Sequence, residues 1–473
     1  MKRYKYILLL LLGYWSCVSC EDNLDQNSIT NKNVDNYYET EQELESAVDA
    51  AYSVLQRASL YGLYLPAFGD VLSDNCTEEV ANNDGGIFGQ LDFFTTTPSN
   101  GVISGIWRNS YIGIQFVNTV LNRIEAVAFK DEETKSIRSG EMFFLRALHY
   151  FNLVRIYGGV PVVTEETILP SDYFGQTRDE AETVYALILS DLEAAIVRLP
   201  EVSNLEGKVT KGAARALLGK VYMTLGDFEN AKTELLAVVA SNMYQLQTEI
   251  ANVFSLDNEY NSEIIFAVKF HSNIPTGEGS DAVVQYSPSS RSDVSGGKGH
   301  NIIELSLYNL FPPNDKRLGT YATIEGNKAY NLKWKPNNET DEDDPNDGGS
   351  DVVVIRYADI LLLLAELEAL DGNLTEAKQL LNQVRNRAGL SNFNSNNQAE
   401  VLEAIALERR LELVCEGHRW FDLVRRNVAI PTMNNFFIST GLNISIDEHN
   451  LLMPIPRDQI NADPDAMEQN PGY

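Results

Sequence analysis

The chain has 473 residues, with 37 Lys and Arg against 67 Asp and Glu, for a formal net charge of −30. So acidic a surface repels phosphate backbones and anionic lipid. It excludes nucleic-acid binding and disfavours a strongly anionic ligand unless a local basic pocket intervenes. Of four cysteines only Cys76 and Cys415 lie beyond the first twenty residues, too few for a disulfide framework; each reads as a small buried hydrophobe.

At the front, Lys2, Arg3 and Lys5 precede the apolar run Ile7 to Leu12, the small-residue stretch Ser16-Cys17-Val18-Ser19-Cys20 and the acidic string from Glu21 to Asp25. This order marks residues 1–19 as a secretory signal peptide whose apolar part is too short to span a bilayer. Cys20 stands where a bacterial lipoprotein is cut and acylated, with Cys17 as a second such position. Two or more acyl chains hold a protein stably on a membrane. Loss of the signal takes the charge to −33 and leaves about 450 residues, enough for one large core or two intimately packed subdomains.

Residues 20–40 read as anchor and polar leash. Leu44, Ala47, Val48, Ala51, Tyr52 and Leu55 then recur every three or four positions, which predicts a helix over 41–55. Between Gly62 and Gly105 the periodicity fails and Gly, Asn, Asp, Thr and Pro accumulate, so a long loop region is expected. A helix returns at Trp107–Ile124. The segment 140–163 carries a wide stripe (Phe143, Ala147, Tyr150, Val154, Tyr157), closed by Gly158-Gly159 and Pro161.

An internal repeat follows. Leu218, Gly219, Gly226, Ala231, Leu235 and Val238 correspond in turn to Leu364, Ala365, Gly372, Ala377, Leu381 and Val384, every pair offset by 146. Small residues where two antiparallel helices cross, with a Gly at the turn, match the tetratricopeptide pattern. Weaker pairs at 140–200 and 400–427 make four hairpins that can stack into a curved array. The expected divisions are an N-terminal half at 41–239, a loop-rich insertion at 240–350 and a C-terminal half at 351–473. The insertion holds short strand-like runs at Ile264–Phe270 and Ala282–Tyr286.

Signatures of catalysis are missing. The five histidines have no metal-ligand spacing, and neither HExxH nor GxSxG occurs. The string from Gly277 to Ala282 mimics a dinucleotide fingerprint but runs into Val283-Val284-Gln285-Tyr286, read as a strand rather than the required helix. Gly297-Lys298 is followed by Gly299, not Ser or Thr, so it is no phosphate loop. Carboxylates cluster over 341–348, but Pro345 in the loop and no closing Glu favour a solvated acidic loop over calcium; no cofactor is expected. The block Glu408, Arg409, Arg410, Glu412, Glu416, Arg419, Asp422 and Arg425 reads as structural, with Glu416–Arg419 and Asp422–Arg425 on shared helix faces and His418 as a packing residue.

Six segments together resemble the SusD/RagB family of surface lipoproteins: SCEDNLD at the anchor, GEMFFLRALHYFNLVRIYGGVPVV, KVTKGAARALLGKVYMTLGDFENA, IRYADILLLLAELEALDGNLTEAKQLLNQVRNRAGL, ERRLELVCEGHRWFDLVRR and the terminal LLMPIPRDQINADPDAMEQNPGY. The resemblance implies an α protein, four tetratricopeptide helix pairs supporting an irregular subdomain. It also implies a non-enzymatic role at the outer surface: capturing a nutrient, most often an oligosaccharide, as a lid on a SusC-type TonB-dependent barrel. Peptide capture, or a scaffold whose only ligand is its partner, are the other readings. Cys415 stands where the family usually has a small or aromatic residue.

Sugar binding needs a flat apolar ring face flanked by groups that bond hydroxyls. Aromatic residues in polar loops therefore qualify, and those on helical stripes do not. The resemblance places ligand contacts in the two loop regions. Trp334, Tyr286, Asp74 and Asn100 are the favoured positions, followed by Phe88 and Tyr330; Tyr64 belongs to the wider set. On this expectation Trp334→Ala weakens ligand binding and leaves thermal stability unchanged.

Overall fold

The computed structural model describes residues 38–272, 278–335 and 347–473. The signal peptide, Cys20 and most of the acidic loop at 341–348 lie outside the described residues.

Local signals set most helix starts. Helix α1 (Glu41–Ser53) opens on a capping box in which Thr40 Oγ1 accepts from the Glu43 amide and the Glu43 carboxylate accepts from the Thr40 amide. The stretch expected as a long loop contains α2 (Tyr64–Val71) and α3 (Ile87–Asp92). Then come α4 (Gly101–Arg123), capped by Asn100, and α5 (Glu132–Tyr157), capped by Asp131. Both begin six to eight residues before the apolar stripe does, because a cap starts a helix through its side-chain oxygen, not through hydrophobic spacing. Gly158, at φ +74°, ends α5 as its position indicated.

The array continues through α6 (Ala181–Arg198), α7 (Lys211–Leu225) and α8 (Phe228–Ala240), and resumes with α11 (Tyr357–Leu370), α12 (Leu374–Arg387), α13 (Gln398–Glu412) and α14 (Arg419–Arg425). Pairs α5–α6, α7–α8 and α11–α12 pack as hairpins, α8 meets α11, and Arg409 of α13 reaches Asp422 of α14 at 3.0 Å. The repeat is thus a physical one. Gly226 and Gly372 turn their hairpins at φ +75° and +82°. A Cβ on Gly219 would lie 2.5 Å from the Leu235 side chain, which is why the crossing takes a small residue. Helices α15 (Ala429–Thr440) and α16 (Arg457–Ala462) close the chain.

The insertion is woven into the array. Its strand β2 (Ile264–Val268) pairs antiparallel with β6 (Val352–Arg356), which runs directly into α11. A second sheet has the order β1-β3-β5-β4, from Cys76–Thr77, Ile302–Ile303, Lys328–Asn331 and Ala322–Glu325. Strands β4 and β5 form a hairpin turning at Gly326-Asn327, with Gly326 at φ +61°. Helix α9 (Ala282–Tyr286) precedes β3 in the chain and α10 (Leu305–Tyr308) follows it. The run 282–286 is therefore helix, not strand. At five residues it is still too short to complete a dinucleotide fold.

One large core takes residues from every part, including Ile265, Val283, Tyr286 and Trp334 of the insertion. A smaller one under the second sheet joins Cys76, Ile303, Leu307, Ala322 and Ala329 to Leu411, Val414 and Cys415. The charged block lies inside the fold. Glu412 is shared by Arg317, Arg356 and Arg387, and Arg409 binds both Asp359 (2.7 Å) and Asp422. Asp422 pairs with Arg425 at 2.8 Å as the spacing indicated. Glu416 does not pair with Arg419: it precedes α14 and turns to Arg356 (2.8 Å) and Lys333 (2.5 Å), and Arg419 goes to Asp74. His418 packs against Lys220; burial, then that ammonium, lower its pKa to about 3, so it is neutral.

Candidate functional site

The two loop regions meet. Strand β1 from the first pairs with β3 from the second, and the Glu79 amide donates to the Gly299 carbonyl, so the segment around Asp84 and the segment 298–300 lie side by side. The chain through 81–89 is tightly wound. Asp84, Gly85 and Gly86 all have positive φ, and a Cβ on Gly89 would lie 2.1 Å from the Ala81 carbonyl oxygen, so only glycine permits that approach.

This winding delivers Asp84 to His300, whose Nε2 lies 2.8 Å from an Asp84 oxygen while its Nδ1 lies 2.8 Å from Glu78. Lys298 holds the same Asp84 at 3.1 Å. Burial by itself would lower the His300 pKa, but the hydrogen bonds and charges of Glu78 and Asp84 outweigh it and raise it. The imidazole stacks on Phe88 with centroids 4.4 Å apart, and Phe88 takes the edge of Tyr64 at 5.7 Å.

Tyr64 is the ring of this stack that stays partly open. It lies against the second turn of α4, where a Cβ on Gly105 would come within 3.1 Å of its ring. Its hydroxyl pKa is raised by burial, then by the charges of Asp281 and Asp84. Gln285 donates to Asp281 at 2.8 Å. The face thus presents one aromatic surface beside two carboxylates, an amide and an ammonium. Such an arrangement can stack on an apolar ring and bond hydroxyl groups around it.

A separate groove of about 420 Å³ runs along α4, lined by Tyr111, Ile112, Phe116, Pro161 and Met467 among others. Gln115 there is tied to the Thr167 backbone at 2.9 and 3.0 Å and the Tyr111 hydroxyl donates to the Pro161 carbonyl at 2.7 Å, which leaves a mainly carbon floor. Among the described residues no cluster of three or more His, Cys, Asp or Glu could hold a metal ion, and no helix is long and apolar enough to cross a membrane.

Two sequence profiles match: one described as the SusD family over residues 327–473, and one described as starch-binding, associating with the outer membrane, over 22–223. Both ends of the chain are thus similar to SusD-family sequences. A SusD-like protein, P38, of Formosa agariphila is 28% identical over 92% of this chain and 94% of its own. A SusD-like protein of Bacteroides ovatus is 28% identical over 74% of this chain and 70% of its own. Among solved structures, a laminarin-binding SusD-like protein is 28% identical, covers 92% of this chain and 100% of its own, and superposes with a TM-score of 0.81. A surface glycan-binding protein A of Bacteroides fluxus shares the fold at 22% identity and the same TM-score, over 92% of this chain and 99% of its own.

Within this SusD-like fold the favoured side chains are not open, which corrects the expectation drawn from their loop positions. Trp334 is 7% exposed and sits edge-on to Tyr286 at 5.4 Å in the main core. Tyr286 is 1% exposed and its hydroxyl donates to the Leu63 carbonyl. Phe88, also 1% exposed, lies beneath Tyr64. Tyr330 is covered by the Arg291 guanidinium at 5.0 Å. Asp74 is buried between Arg419 (2.8 Å) and Arg410 (3.0 Å).

Asn100 spends its side chain on the α4 cap. Its Oδ1 accepts from Val102 at 2.8 Å, and its Nδ2 donates to Ile87 O and Gln90. An Asn set before a helical stripe is a cap signal, and reading it that way would have removed it from the ligand set. Nothing in the sequence distinguished Tyr64 from the buried aromatics.

Proposed function

We propose that this chain is a cell-surface lipoprotein, anchored through Cys20, that binds a neutral oligosaccharide and hands it to a SusC-type TonB-dependent outer-membrane transporter without catalysing a reaction. The observation that carries the ligand reading is the partly open Tyr64 ring bordered by Asp84, Asp281, Gln285 and Lys298. The carboxylates accept hydroxyl protons and repel sugar acids, in keeping with the chain's net charge of −30. Support for the glycan class comes from the laminarin-binding relative and the starch-binding description of the family profile.

Titration calorimetry against laminari-oligosaccharides, malto-oligosaccharides and cationic peptides tests the reading. Binding of a glucan by the wild type and a loss of tenfold or more in Tyr64→Ala are expected. Peptide binding with no glycan bound would replace it with the peptide reading. Co-purification of a barrel transporter checks the partner. Cys20→Ala should release the protein from membranes, and membrane association that survives a high-salt wash would refute the anchor.

A further inference from the structure

The structure carries an unassigned sulfur pair. Cys76 in β1 and Cys415, just past α13, are 339 residues apart in sequence, yet their Sγ atoms lie 3.7 Å from one another. Both thiols are buried, within the small core that joins the second sheet to Leu411 and Val414. Cys415 also occupies the left-handed region at φ +60°, where a side chain is strained and glycine or asparagine is the usual occupant. Filling space does not explain a cysteine there, since glycine would relieve the backbone. What cysteine adds is a sulfur facing the one other cysteine of the chain beyond residue 20.

We propose that Cys76 and Cys415 are joined by a disulfide in the exported protein. The bond fastens the sheet beneath the Tyr64 face to the C-terminal helices. Drawing the sulfurs from 3.7 Å to about 2.0 Å requires side-chain rotation at either residue. The oxidant is the disulfide of an exported thiol–disulfide oxidoreductase. One cysteine thiolate attacks it, forming a mixed disulfide and releasing one oxidoreductase thiolate. The second cysteine thiolate attacks its partner's sulfur and expels the other, so two electrons and two protons leave the pair and the oxidoreductase ends as a dithiol. In the folded core, burial, then the neighbouring Cys415 thiol, push the Cys76 thiol well above its usual pKa. Thiolate attack therefore belongs to the folding chain, before this core closes. Closing so long a loop constrains the unfolded ensemble strongly.

The inference rests on the export reading and not on the ligand. The test uses the full chain purified from the cell envelope, denatured without reductant, alkylated with iodoacetamide, digested and analysed by mass spectrometry. The expected product is the Cys76 and Cys415 peptides linked and lighter by two hydrogens than their sum, separating into two alkylatable peptides after reduction. Two alkylated peptides without prior reduction, in protein from the envelope, overturn the bond and leave export standing. Protein found only in the cytosol with both thiols alkylated overturns both.

Discussion

Arg356, at the end of β6, meets Glu412, at the end of α13, at 2.6 Å with both side chains out of solvent. The same carboxylate takes Arg387 from α12 and, at 3.2 Å, Arg317 from the insertion. Three segments far apart in sequence are thereby fastened to one group. Burial would raise the Glu412 pKa, but Arg387, Arg356 and Arg317 together drive it far below the carboxylate range. Removing one member of such a buried set leaves cations without compensation. Glu412→Gln should lose about 3–5 kcal/mol in urea unfolding at pH 7. The carboxylate contributes above its unfolded pKa of about 4.3 and stops contributing as pH falls through its folded value. The gap between wild type and variant should therefore close only in strong acid.

Trp334 and Tyr64 should behave in opposite ways. Trp334 is packed against Tyr286, so Trp334→Ala opens a cavity and should cost about 3–5 kcal/mol, lowering the melting temperature. This reverses what the loop position of Trp334 suggests. Tyr64→Ala removes a partly open ring and should weaken glycan binding with a much smaller change in melting temperature. Thermal shift and calorimetry on the two variants decide it.

The Glu78–His300–Asp84 relay predicts a pH signature. The folded pKa of His300 is raised above the unfolded value of about 6.5, so its stabilisation is complete below that value and is lost as pH rises through the folded one. His300→Gln should be less stable than the wild type by about 2 kcal/mol at pH 6, and the difference should shrink towards pH 9. Denaturant midpoints at both pH values check it.

At the first repeat, Gly219→Val should push α7 from α8, because even a Cβ meets Leu235 at 2.5 Å. A loss of about 2–3 kcal/mol is expected, with part regained in Gly219→Val/Leu235→Ala. Gly219→Ala should be far milder: helix propensity returns up to about 1 kcal/mol, and the second repeat carries Ala365 at the equivalent place.

The helical array is legible in the sequence because its signals are local. The spacing of Phe143, Ala147 and Tyr150, the terminator Gly158 and the 146-residue offset of the repeats each concern a few neighbouring residues. Helix starts at Asn100 and Asp131 were missed where a polar cap precedes the apolar stripe. The helix at 282–286 was misread because a short apolar run has no distinguishing period.

By itself, the sequence determined the repeat architecture, the acidic surface, the structural role of the 408–425 charges and the family resemblance, all properties of composition and short-range pattern. Only the tertiary structure decided which aromatic rings face water. Tyr286 is buried because Leu63 and Trp334, far away in the chain, converge on it, whereas Tyr64 stays partly open among the described residues. Exposure depends on what packs from elsewhere, and no window along one strand of sequence contains that information.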